Sequence, residues 1–225
     1  MFKGTESYIP ALKYHWLTSL YDPVIALTTR ERTFKNQLIT QADLADDHTI
    51  LDVGCGTGTL ACRIKQRYPS SRIYGLDGDK NILEIAKRKA EKANINIQFD
   101  PGLSYELPYP DNTFDRVVTS LFFHHLTLSQ KERTLMEILR VLKTGGELHI
   151  ADWGRPDNVL MRILFYQVQL LDGFTTTHEN VKGLLPGIIR NSGFDAVRIN
   201  TVIQTIFGTL SLISAKKPDG SGAII

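Results

Sequence analysis

The chain has 225 residues, 42% of them hydrophobic and 22% charged. That balance excludes a disordered chain, a collagen-like repeat and a membrane bundle, and it suits one well-developed domain with an appendage. Twenty-six Lys and Arg against 24 Asp and Glu leave a net charge of +2, too even to select a nucleic-acid or polyanion partner. The two cysteines, Cys55 and Cys62, are expected on one side of a loop and the helix it opens, so neither a disulfide nor a cysteine metal site is predicted. The first residues show no basic stretch leading into an apolar one, and no run of 18 apolar residues occurs. The expectation is therefore a cytoplasmic, reducing compartment and no transmembrane segment.

In chain order, residues 8–43 carry aromatic and apolar positions without strand alternation and are predicted to form two helices of an N-terminal helical cap, residues 1–47. Tyr14, Trp16, Leu17, Leu20 and Tyr21 need something to pack on, and Pro23 falls near a helix boundary. From residue 48 short apolar runs alternate with helical patterns, the signature of a parallel sheet wound with helices. Strands are predicted at Thr49–Val53, Arg72–Asp77, Asn96–Phe99, Arg116–Ser120 and Glu147–Asp152, and helices at Leu60–Tyr68, Lys80–Ala93 and Gln130–Leu142. Pro69, Asn94 and Gly145-Gly146 supply the stops. Val159–Phe174 reads as a helix whose stripe of Leu160, Leu164, Val168 and Leu171, widened by Ile163, Phe165 and Leu170, exceeds one face. Such a helix packs on two sides or lines an apolar cavity. A helix over 179–192 should be interrupted at Pro186-Gly187. Ala196–Val202 and Ile206–Ala215 form two strands whose short connection requires an antiparallel pair. Residues 48–217 thus make the main domain, with a covering segment at 153–180 and a flexible tail at 218–225.

The segment from Ile50 to Leu60, Ile-Leu-Asp-Val-Gly-Cys-Gly-Thr-Gly-Thr-Leu, runs a buried strand into three alternate glycines and then a helix. Backbone N–H groups at such a turn can meet an anionic or nucleotide-like group at close range. The dinucleotide fingerprint places glycines at relative positions 1, 3 and 6, whereas Gly54, Gly56 and Gly58 fall at 1, 3 and 5 with Thr59 at 6, which counts against NAD.

This segment resembles motif I of the class I S-adenosylmethionine-dependent methyltransferases, with Asp52, Gly54, Gly56 and Gly58 at the matching positions. Ile73-Tyr74-Gly75-Leu76-Asp77 looks like the second strand and its terminal acid. Leu107-Pro108-Tyr109-Pro110-Asp111-Asn112-Thr113-Phe114-Asp115 resembles the stretch before strand four in the type 11 branch, typified by enzymes of ubiquinone and menaquinone biosynthesis. The resemblance implies an α/β, Rossmann-like three-layer sandwich with a mostly parallel seven-stranded sheet in the order 3-2-1-4-5-7-6, strand 7 antiparallel. It also implies S-adenosylmethionine as cofactor, S-adenosylhomocysteine as product, and no metal. Asp77 would accept hydrogen bonds from the ribose hydroxyls. Around it the cofactor would meet Cys55, Gly78, Ser120, Leu121 and, from the cap, Tyr21. Where the family carries an acid near the adenine amino group this chain has Leu103, followed by Ser104, so adenine recognition would fall to backbone N–H groups there or to Asp100.

Methyl transfer is driven largely by holding the acceptor in line with the S–CH3 bond, and a base helps only for some acceptors. Residues after strands four and five are placed for that work. His125, His124 and Asp152 are the candidate catalytic groups, each with a structural reading beside it: a helix-start histidine bonded to backbone, or a loop-ordering acid. Trp153, Arg155, Tyr166 and His178 are candidate acceptor contacts. The expected acceptor is a small, apolar molecule, with no nucleic-acid partner, for a monomer or homodimer. Two competing readings are a non-catalytic S-adenosylmethionine-binding partner protein and a nicotinamide-dependent oxidoreductase.

Overall fold

The computed structural model describes residues 30–219, and of Leu171 its backbone alone. Tyr21, the first cap helix, Pro23 and all but the first two residues of the 218–225 tail lie outside that range. Glu31–Gln41 forms α1, with Phe34, Leu38 and Ile39 turned inward. Then follow β1 (Thr49–Val53), α2 (Thr59–Arg67), β2 (Arg72–Asp77), α3 (Lys80–Lys92), β3 (Gln98–Pro101), β4 (Phe114–Ser120), α4 (Leu128–Val141) and β5 (Leu142–Trp153). The remaining elements are α5 (Val159–Asp172), α6 (Phe174–Val181), α7 (Leu185–Asn191), β6 (Asp195–Thr205) and β7 (Gly208–Lys216).

The sheet order is 3-2-1-4-5-7-6, as the family resemblance implied. Neighbours from β3 through β5 pair in parallel, and β7 runs antiparallel to both β5 and β6. β1 is buried along its whole length because it is central and covered on both faces. Its alternation divides the core: Ile50 packs with Phe34, Leu60, Ile64 and Ala86, while Leu51 and Val53 pack with Leu135, Ile138 and Ile189.

Several boundaries differ from the sequence reading for local reasons. α4 starts at Leu128 because Thr127 and Gln130 form a reciprocal capping box, a cap worth about 1 kcal/mol. It runs straight into β5, whose early residues bulge around Gly145 (φ 72) before regular pairing resumes at Glu147. β3 lies two residues later than expected and ends on Pro101, tolerated because β3 is an edge strand. The break expected at Pro186-Gly187 falls earlier, around Gly183 (φ 71). Pro186 sits in the first turn of α7, where its missing N–H costs nothing.

On α5 the buried stripe is Met161, Phe165 and Val168, one step round from the expected one, so Leu160 is exposed. Phe165 sets this rotation by packing on Trp153 (centroids 5.4 Å apart) and over Gly208, where a side chain would strike its ring at 2.9 Å. The helix therefore packs on one side among the described residues. Val159, Ile163, Tyr166 and Leu170 face outward, each between 45% and 76% exposed. No helix of the described residues is long and apolar enough to cross a membrane.

Candidate functional site

Where β1 ends, Gly54, Gly56 and Gly58 all take left-handed backbone, with φ of 68°, 52° and 71°. Only glycine adopts such a run without strain. The three serve different ends. A Cβ on Gly54 would lie 2.2 Å from the Phe122 ring, and one on Gly58 would lie 2.9 Å from Ala86 Cβ and 3.0 Å from Phe99. A Cβ on Gly56 would meet nothing within 4 Å. Two glycines thus admit neighbouring side chains, and the middle one keeps a face open to a ligand. The loop is pinned to β2 by the N–H groups of Gly54 and Cys55, which donate to the Leu76 carbonyl at 2.8 and 3.0 Å.

Asp77 closes the same corner. Its Oδ2 accepts from the Gly56 N–H at 2.9 Å and its Oδ1 from the Asp79 N–H at 3.0 Å. Each oxygen keeps a second lone pair for a ligand hydroxyl. Burial raises the Asp77 pKa, and these backbone donors oppose the rise. Asp52 lies beneath the loop, 1% exposed, with neither carboxylate oxygen hydrogen-bonded to a described residue. Burial pushes its pKa up to about 7, against the pull of Lys35. Cys55 and Cys62 are buried free thiols, and burial raises both.

A cleft of about 630 Å³, its solvent-facing mouth included, opens here at the carboxyl ends of β1, β2 and β4. It brings together Gly54, Asp77, Gly78, Leu103, Ser104 and His125 of the sequence-predicted residues. The Ser104 hydroxyl is shared with Thr134 Oγ1 on α4 at 2.8 Å. Asp100 stands outside the cleft wall, bonded by the Tyr109 hydroxyl at 3.0 Å and by Gln98. Ser120 ends β4, and Leu121 turns the chain with φ 52° while donating to the Ala151 carbonyl at 2.8 Å. Gly56 stands beside this lining, bonded to Asp77 with its Cβ side unobstructed, and Gly58 sits behind it against Ala86 and Phe99.

Behind His125 lies a polar knot. Asp152, fully buried at the end of β5, accepts from the N–H groups of Phe122 (3.0 Å), Phe123 (2.7 Å) and Trp153 (2.7 Å). His124 Nδ1 stands 2.7 Å from Asp152 Oδ1. The other ring nitrogen of His124 is 3.5 Å from Asp172 Oδ2, and His125 Nδ1 is 3.8 Å from Asp172 Oδ1. Burial disfavours charge on His124, yet the carboxylates of Asp152 and Asp172 raise its pKa to about 9. Burial and the neighbouring His124 push His125 down to about 4.

The candidate acceptor contacts are dispersed. Trp153 is buried between His124 and Phe165. Trp153 and Arg155 both line a second cleft, with Lys182 and Ile199. Tyr166 lies on the outer face of α5 under the Arg162 guanidinium (4.2 Å), and His178 is exposed on α6. Sequence reasoning passed over Phe122, Asp172 and Asn180. Asn180 donates from Nδ2 to the Trp153 carbonyl at 3.0 Å and ties the cover to β5. The acid that ends α5 is a local signal for Asp172 alone, and no local pattern marks Phe122 or Asn180.

The model of a methyltransferase domain matches residues 50–146. The chain is 34% identical to a demethylmenaquinone methyltransferase of Thermus thermophilus, over 53% of this chain and 55% of that protein. It is 30% identical to a 2-phytyl-1,4-naphtoquinone methyltransferase of Nostoc punctiforme, over 69% of this chain and 67% of that one. The chain spans just over half the length of the Thermus relative. Among solved structures, a SAM-dependent methyltransferase from Aquifex aeolicus shares the fold with a TM-score of 0.62 at 21% identity, covering 81% of this chain and 88% of the other.

Proposed function

The chain belongs to the class I S-adenosylmethionine-dependent methyltransferases, in the branch of the ubiquinone and menaquinone C-methyltransferases, and on that premise we propose that it transfers a methyl group to a small acceptor of the quinone class. The observation that carries the cofactor half is the pairing of Gly56 and Asp77. A glycine open on its Cβ side is hydrogen-bonded to a half-buried carboxylate, at the point where the sheet order reverses between β1 and β4. These residues fit the group: the open glycine admits an adenosyl moiety, and the remaining lone pairs of Asp77 suit a ribose diol. Leu103 and Ser104 would flank the base, and Ser120 and Leu121 the amino-acid portion. Bound S-adenosylmethionine would supply an electrophilic methyl group on a cationic sulfur.

The chain's own part in the reaction is positional. Asp152 is saturated by backbone donors and its histidine, and His124 is held as an imidazolium. Neither serves as a free base. His125 is the one of the three candidates that lines the cleft, and with a pKa near 4 its ring is uncharged and only weakly basic. Catalysis then rests on holding the acceptor at contact distance, an effect able to supply several kcal/mol of the barrier. The names of the relatives and the apolar outer face of α5 support an acceptor with an apolar portion. The protein's place in the cytoplasm and its assembly as a monomer or homodimer belong to the same reading.

Calorimetry with S-adenosylhomocysteine tests the proposal. The wild type should bind it, and Asp77→Ala should weaken binding at least tenfold with circular dichroism unchanged. Absent binding, or binding indifferent to Asp77→Ala, overturns it. The oxidoreductase reading would require NAD to bind in its place, and the 1-3-5 glycine spacing disfavours that.

A further inference from the structure

The geometry points to a divalent-metal site formed by His124, His125 and Asp172 at the back wall of the cleft. Among the described residues, one ligand atom from each of these three lies within 4.8 Å of the others. Zinc and its neighbours hold imidazole nitrogen and carboxylate oxygen at about 2.0–2.2 Å, which at tetrahedral angles sets the donors about 3.4 Å apart. His124 Nε2 lies 3.5 Å from Asp172 Oδ2 and His125 Nδ1 lies 3.8 Å from Asp172 Oδ1, so each histidine faces its own oxygen of one carboxylate and a small inward shift would set all three groups round one ion. Both separations are longer than an ordinary N–H···O hydrogen bond. A divalent ion would displace the proton that the ion-free His124 carries on Nε2 and would bind Nδ1 of His125 and the Asp172 carboxylate at the same time.

The surroundings are those of a metal ligand. His124 has its Nδ1 on Asp152 at 2.7 Å, and Asp152 is fixed by the N–H groups of Phe122, Phe123 and Trp153. A carboxylate behind the far nitrogen of a ligating histidine sets the tautomer and aims the other nitrogen at the ion. Two buried or half-buried carboxylates face one another across this pair of histidines, and a divalent ion balances both. Two imidazoles and one carboxylate select zinc, cobalt or ferrous iron over magnesium or calcium, which prefer all-oxygen sets. Asp172 is partly open to solvent and His125 lines the cleft, so coordination positions remain for an oxygen of the acceptor. The inference rests on the methyltransferase reading in this last respect only. An ion here would lower the pKa of a bound acceptor hydroxyl, work that none of the three candidate side chains is free to do as a base.

The test uses chelator-treated full-length protein carrying no histidine tag. Titration with zinc chloride, followed by calorimetry and elemental analysis, should give one ion per chain. Cobalt(II) should give the visible absorption bands of a low-symmetry nitrogen–oxygen site. Asp172→Asn and His125→Gln should each weaken zinc binding at least tenfold with circular dichroism unchanged, and Asp172→Asn, which stands outside the cleft lining, should keep wild-type S-adenosylhomocysteine affinity. Absence of stoichiometric uptake, or uptake unchanged in both variants, overturns the site. S-adenosylhomocysteine binding measured without metal reports on the cofactor reading separately, so one can fail while the other stands.

Discussion

Three glycines of one loop share a backbone conformation but not a reason for being glycine. Alanine at Gly58 meets both the cost of left-handed backbone and a collision with Ala86 and Phe99 from α3 and β3. Alanine at Gly56 meets only the first. Urea denaturation should therefore show Gly58→Ala destabilised by about 3 kcal/mol or more and Gly56→Ala by about 1–2 kcal/mol. S-adenosylhomocysteine affinity should fall in both, and in Gly56→Ala it should fall by more than the stability change accounts for. Equal stabilities for the two variants would contradict the division of roles. The glycine spacing was readable from the sequence, since left-handed backbone is a local steric matter. Which glycine faces the ligand was not, because Phe122 and Phe99 arrive from 68 and 41 residues away along the chain.

At the scale of elements, the cover over β5 is held by a buried ion pair. Lys131 of α4, fully buried, donates to Glu179 at 2.7 Å and to the Thr176 carbonyl at 2.6 Å, both on α6. Burial lowers the Lys131 pKa, opposed by Glu179. Removing the ammonium alone strands a largely buried carboxylate, a change that costs roughly 3–5 kcal/mol. Lys131→Met is expected to lower global stability by about that much and to speed limited proteolysis within 157–182 before the rest of the chain is cut. A cover cleaved no faster than in the wild type would show that α5 and α6 are held mainly by Phe165, Val168 and Asn180. The elements themselves were largely legible, because periodicity, caps and glycine stops act over a few residues. The rotation of α5 was not. Its sequence offers two apolar stripes, and only the position of Trp153 and Gly208 picks Met161, Phe165 and Val168 as the inner one.

For the molecule as a whole, the buried Asp52 links stability to pH. Its folded pKa of about 7 lies above the ordinary aspartate value of 3.8, so the folded state holds the proton where the unfolded state has released it. Stability should fall as pH rises from about 4 to about 7 and level off above, a penalty on the order of 4 kcal/mol at most. Asp52→Asn removes that term. Thermal melts of the ligand-free protein at pH 5 and pH 8 should differ less in the variant than in the wild type, and an equal difference would refute the assignment.

Taken alone, the sequence determined most elements and the glycine loop, which rest on steric or periodic rules between near neighbours, and contiguous motifs carried the family resemblance that implied the sheet order. Tertiary structure alone decided what stands beside the cleft. His124, Asp152 and Asp172 are 28 and 20 residues apart in turn, on a turn, a strand end and a helix end that share no local pattern. Their meeting follows from the parallel pairing of β4 with β5 and from the return of α5 across the sheet, which bring three chain segments to one buried point where charge must be balanced.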